Sequence, residues 1–151
     1  MTALGTAALL RCPFADVVCA VTSALAEQGF GVLTEIDVRA TMKVKLGVDV
    51  DPYVILGACN PPLAHRALQA DPSLGLLLPC NVTVRDTSDG VLIQAVDPRI
   101  MVSASASPDL MRVAEEAAAK LEAAIAALGT LEPRGERSSE TEDSCSCPPR
   151  I

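Results

Sequence analysis

The sequence predicts an α+β domain, a mixed or antiparallel sheet packed against helices, in the order β-α-β-α-β-α-β-β-α. Three observations carry the prediction. Aliphatic and β-branched segments alternate with segments whose apolar residues recur at helical spacing. Half of the 151 residues are hydrophobic while only Phe14, Phe30 and Tyr53 are aromatic, so the core must be aliphatic. Two strand segments near the end flank a polar turn, and such a closing hairpin is incompatible with an all-parallel sheet.

The first element, Thr6 to Arg11, reads as a short apolar strand. Phe14, Val17, Val18, Val21 and Leu25 then recur at helical spacing, with Gly29 as the stop. Gly31 to Ile36 is a second strand. Asp37 caps a short helix with Val38, Met42 and Leu46 on one face, ending at Gly47. Tyr53 to Ala58 is apolar throughout, which predicts a central strand.

Asn60 is placed to cap the third helix, with Pro61 and Pro62 in a first turn where a missing N–H costs nothing. That helix runs to about Ala70, and Ser73 to Pro79 is apolar but broken by Gly75 and Pro79. Val82 to Arg85 and Val91 to Val96 form the hairpin around Asp89-Gly90. Ser107, Pro108 and Asp109 open the last helix. Its buried stripe is Leu110, Val113, Ala117, Leu121, Ala124, Ile125 and Leu128, and Gly129 ends it.

From Thr130 the composition turns to Glu, Arg, Ser and Pro, with five acids and three Arg. Such a segment buries too little apolar surface to offset its ordering entropy. The expected organisation is one domain over 1–129 and a disordered acidic tail over 130–151.

Charge narrows the function classes. A net charge of −7 and a pI near 4.6 repel phosphate backbones, and no basic patch compensates; Lys43 with Lys45 is the densest pair. Few aromatic rings means no base-stacking platform, so nucleic acid is not an expected partner. No run approaches the ~20 apolar residues of a membrane span. The apolar stretch Ala3 to Leu10 lacks the preceding Lys or Arg of a signal peptide, so it reads as a strand and the expected compartment is the cytoplasm.

Six cysteines, at 12, 19, 59, 80, 145 and 147, are many for a cytosolic chain. None forms a C-x-x-C pair, the strong signature of zinc or thioredoxin chemistry. One short pattern occurs twice, as Gly57-Ala58-Cys59-Asn60-Pro61 and as Leu78-Pro79-Cys80-Asn81-Val82. If the third and fourth strands are antiparallel neighbours, both Cys-Asn steps meet at one end of the sheet. A cysteine just before a helix feels the positive end of the macrodipole, which favours thiolate. Free N–H groups there can receive a carboxylate or phosphate, and asparagine offers a donor and an acceptor beside the sulfur.

Cys59, Asn60, Cys80 and Asn81 are therefore the candidate ligand-binding residues, as a small-ligand or anion site, a reactive thiol pair or a soft-metal site. The plainer reading treats the cysteines as small core residues, Asn60 as a helix cap and Asn81 as a loop partner. His65 could add a third metal ligand, but it lies away from the Leu63/Ala67 stripe and reads as solvated. Cys145 and Cys147 alone make an incomplete metal site. Cys12 and Cys19 read as structural. Glu35 and Asp37 could form an acid/base pair, although Asp37 already has a capping role. No P-loop, G-x-G-x-x-G, H-E-x-x-H or G-x-S-x-G occurs, and the sequence names no cofactor, catalytic residue or reaction.

Phe30-Gly31-Val32-Leu33-Thr34-Glu35-Ile36-Asp37, Lys45-Leu46-Gly47, Tyr53, Gly57-Ala58-Cys59-Asn60-Pro61 and Leu77-Leu78-Pro79-Cys80-Asn81-Val82 together resemble domain-of-unknown-function 302 (DUF302). The resemblance spans Thr6 to Leu128 in order. It implies a small α+β domain, a homodimer, and Cys59, Asn60, Cys80 and Asn81 as motif positions. It implies no reaction. The expected function is a small-ligand or anion-binding domain, with a thiol-redox or soft-metal protein, or a purely structural dimeric scaffold, as the alternatives.

Overall fold

A computed structural model describes residues 3–102 and 107–129. Five strands, β1 (Gly5–Leu10), β2 (Gly31–Asp37), β3 (Tyr53–Cys59), β4 (Cys80–Thr87) and β5 (Gly90–Val96), form one sheet in the order β1-β5-β4-β3-β2. Every neighbouring pair is antiparallel. The helices are α1 (Phe14–Glu27), α2 (Val38–Leu46), α3 (Pro61–Ala70), α4 (Pro98–Val102) and α5 (Pro108–Leu128), with a 3₁₀ turn over Pro72–Leu76. The fold is α+β.

Alternation decides which side of the sheet is dry. Val54, Leu56 and Ala58 of β3, Cys80, Val82 and Val84 of β4, and Val91, Ile93 and Ala95 of β5 are all buried. They meet Val17, Val21 and Leu25 of α1 and Leu121, Ala124, Ile125 and Leu128 of α5 in the main core. At 3.6 residues per turn, those helix positions fall on one face of each helix. A second cluster lies beyond the sheet's end, where Leu63 and Ala67 of α3 pack with Leu74, Val102, Leu110, Val113, Ala114 and Ala117.

The expected strands and longer helices are present, with three differences. β3 lies inside the sheet but one place off-centre; β4 is the middle strand. The hairpin turn is Ser88-Asp89, with Gly90 already paired to Thr87. The five-residue α4 follows Asp97, whose side chain accepts from the Arg99 amide at 2.9 Å. Its Asp-Pro start is a helix-start signal, but five residues are too few for periodicity to register.

The predicted α2 forms between its Asp37 cap and a left-handed Gly47, yet it has no buried residue, and Leu46 is 69% exposed. Among the described residues no helix is long and apolar enough to cross a membrane. The expected tail, with Cys145 and Cys147, lies outside the described residues.

Candidate apolar cavity at the Cys-Asn motifs

β3 and β4 are antiparallel with Gly57 opposite Asn81 and Ala58 opposite Cys80, so both Cys-Asn steps lie at the same end of the sheet. The four motif residues then separate. Cys59, Asn60 and Cys80 line one cavity of about 60 Å³. Asn81 does not line it; it is exposed and lies across the sheet from Gly57, on the side away from the buried Cys80 and Val82. The period of two along β4 puts Asn81 on the face opposite to Cys80.

The cavity sits under the second hydrophobic cluster. Leu63, Ala64 and Ala67 of α3 form one wall; Leu110, Val113, Ala114 and Ala117 of α5 form the facing one. Phe30 and Ala58 floor it, and Pro98, Met101 and Val102 of α4 close a side. Leu77, itself exposed, lies at its rim. Sequence reasoning placed Leu63, Ala67, Leu110, Val113 and Ala117 on helix stripes but found no cavity between them. Its one legible signal was alanine at buried positions of α5, where small side chains leave room that leucine would occupy.

Asn60 is the one buried polar residue among those described, at 9% exposure. Its Oδ1 accepts from the Leu63 amide at 3.3 Å, capping α3. Its Nδ2 donates to the Gln28 carbonyl at 3.3 Å, tying α3 to the end of α1. Both functions of the amide are thus committed to the fold.

That arrangement weighs against an anion at this helix end. Pro61 and Pro62 carry no N–H, the Leu63 amide is taken by Asn60 Oδ1, and the Ala64 amide donates to the Asn60 carbonyl at 2.9 Å. No donor of the first turn is left for a carboxylate or phosphate. An anion at a helix N-terminus needs free amides more than it needs the dipole alone.

The expected thiolate is corrected. Burial pushes the Cys59 thiol above its ordinary range. Cys80 is pushed up to about 11, by burial first and by the neighbouring Cys59 second. An apolar wall penalises the charged form by more than the capped helix end favours it. Both residues are neutral thiols near pH 7.

The register also bears on a disulfide. Cys80 is opposite Ala58, one residue out of step with Cys59, and both cysteines are free thiols. His65 is exposed, as its helical position predicts, and no group of three or more His, Cys, Asp or Glu that could hold a metal occurs among the described residues. Cys12 packs partly buried against the main core and Cys19 is buried. Glu35 and Asp37 are both exposed on β2, and the Asp37 Oδ1 accepts from the Ala40 amide at 2.8 Å as the α2 cap.

An antiparallel five-stranded sheet with two long helices on one face, and an apolar cavity where a helix pair meets the sheet's end, defines a small α+β domain. The chain belongs to the family Domain of unknown function DUF302, which matches residues 7–128. It is similar to an uncharacterized conserved DUF302 protein from Bacillus stearothermophilus, whose crystal structure superposes with a TM-score of 0.76. The identity is 26%, over 83% of this chain and 98% of that one. None of the curated proteins matches.

Proposed function

We propose that this chain is a binding module that takes the uncharged, alkyl end of a small molecule into the cavity between α3, α5 and the β3–β4 end. One observation carries the reading: all but three of the residues on the cavity wall are apolar, and those three are two neutral thiols and an asparagine already bonded on both sides. A wall of that composition stays dry and favours apolar occupants. It holds no acid, base or charged group, so it favours binding over proton-transfer chemistry. At about 60 Å³ it fits a short alkyl end rather than an aromatic ring, for which a cavity of roughly 150 Å³ is known to serve.

Methyl NMR with 1-hexanol as the probe tests the reading. Saturable shifts at Leu63, Leu110 and Val113 are the expected result. Shifts spread over the exposed surface, with none at those methyls, would sink it.

A thiol reading draws on a different observation, that Cys59 and Cys80 border the same cavity closely enough for charge on one to raise the other. The out-of-step register and the raised thiols weigh against it. Mild oxidation followed by mass spectrometry separates the two: a selective Cys59–Cys80 disulfide would favour the thiol reading.

A further inference from the structure

Taking the cavity as the binding site argued above, we propose that its ligand is an unbranched alkyl or acyl chain longer than the cavity itself. The methyl end enters the cavity, and the remaining methylenes lie on a shelf formed by Leu68, Leu76 and Leu77. The shelf belongs to a run that packing does not explain. Pro72 to Pro79 carries no charged residue and four leucines, at 74, 76, 77 and 78. Of these only Leu74 is buried; Leu76 is 89% exposed and Leu77 42%. A lone exposed leucine needs no explanation, but a contiguous set beside a cavity mouth marks a place where something apolar is bound.

Local structure sets these leucines at the mouth. Asp71 opens the 3₁₀ turn, its Oδ1 accepting from the Ser73 amide at 2.9 Å, and the Leu77 amide donates to the Leu74 carbonyl at 2.9 Å. A Cβ built on Gly75 would stand 4.0 Å from Cδ2 of Leu68, so the turn lies against α3 at that leucine. Leu68 is itself 37% exposed. Leu74, Leu77 and Leu78 line the cavity, and Leu68 and Leu76 do not. The turn thus carries apolar surface outward in steps: Leu74 inside, Leu77 at the rim, and its neighbours Leu76 and Leu68 beyond it.

Volume decides how much of a ligand stays outside. Roughly 150 Å³ houses the six carbons of benzene, so about 60 Å³ houses roughly two or three. Every further methylene of a chain lies beyond the cavity, and contact with the leucine shelf removes it from water. The same surface suits a peptide poorly. A peptide brings an N–H and a C=O at each residue, and the polar side chains of the wall are two thiols and an asparagine already bonded on both sides. An alkyl chain asks for no such partner.

Methyl NMR titrations of the full chain with 1-butanol, 1-hexanol, 1-octanol and 1-decanol test the shelf. The dissociation constant read at Leu63, Leu110 and Val113 should fall about two- to four-fold per added methylene, through to 1-decanol. Leu76→Ser strips the shelf without disturbing the core, because Leu76 is exposed. It should weaken 1-decanol about five- to ten-fold and 1-butanol by less than about two-fold. Affinity that levels off at 1-hexanol overturns the shelf while the cavity reading stands. Leu76→Ser binding 1-decanol at wild-type strength does the same. The absence of saturable shifts at Leu63, Leu110 and Val113 with every alkanol overturns the cavity reading, and the chain ligand with it.

Discussion

A Cβ on Gly29 would stand 3.0 Å from Nδ2 of Asn60. Gly29 lies two residues past α1 at φ +82, and Asn60 caps α3 some thirty residues later. The glycine therefore answers two demands. The backbone needs the left-handed region, and the asparagine amide needs the space to reach the Gln28 carbonyl.

Removing the amide should cost both of its bonds. Asn60→Ala is expected to destabilise the fold by ~1–2 kcal/mol, from a lost cap and an unpaired carbonyl, lowering Tm by roughly 4–8 °C. Asn60→Asp keeps the cap and sets a carboxylate oxygen against the Gln28 carbonyl, so it tests that contact with the cap in place. Gly29→Ala should cost about 1–2 kcal/mol for a side chain at positive φ. It should cost less in an Asn60→Ala background, where the crowding is gone; strictly additive energies in urea melts would deny the contact.

The buried Cys80 thiol gives a pH dependence with a definite sign. Its folded pKa is raised to about 11, so the folded state holds its proton longer than the unfolded chain does. The stabilisation is fully present below the unfolded thiol value and is lost as pH rises from there through about 11. The loss should be on the order of 2 kcal/mol. Cys80→Ala should flatten the alkaline limb of stability against pH, and an unchanged limb would assign the loss to other groups. Alkylation of Cys80 in the folded chain should be slow at pH 7 for the same reason.

Filling the cavity is the sharpest test of its being empty space. Ala114 is buried at 3% exposure on the α5 wall. In a close-packed core Ala→Leu costs ~1–3 kcal/mol through overpacking. Here Ala114→Leu should cost less than about 1 kcal/mol, or stabilise, while abolishing the 1-hexanol shifts. Ordinary overpacking destabilisation would mean that the wall has no slack.

One wall of the cavity depends on a small polar anchor. Asp97 accepts from the Arg99 backbone and guanidinium, both at 2.9 Å, and Arg99 reaches Glu122 of α5 at 2.7 Å. The Arg99 contact holds the Asp97 carboxyl below the usual range. That contribution is present above the unfolded value and lost as pH falls through the lowered one; the partial exposure of the pair keeps it small. Asp97→Ala should loosen α4 by about 1 kcal/mol or less and weaken probe binding, because Pro98, Met101 and Val102 are wall residues. Hydrogen exchange over 98–102 would reveal the loosening, and unaltered protection there would refute it.

The sequence by itself determined the elements and most of their boundaries. Helical spacing from Leu110 to Leu128 marked a buried stripe that is buried throughout, because a 3.6-residue period commits every apolar position of a helix to one face. Gly29 and Gly47 marked helix ends, and both have positive φ, since the left-handed region excludes most side chains. The meeting of the two Cys-Asn steps was legible only on the condition that β3 and β4 are antiparallel neighbours, which the register supplies.

Tertiary structure alone decided the rest. Whether Cys59 is a thiolate depends on what packs around it, and the apolar walls come from α3, α4 and α5, distant in sequence. Whether α3 could hold an anion depended on Asn60 filling its own helix end, with two prolines withdrawing the other donors. Which face of the sheet carries the main core is set by where α1 and α5 pack. Local patterns encode local conformation; burial, and with it the charge state of a thiol and the emptiness of a cavity, belongs to contacts made across the chain.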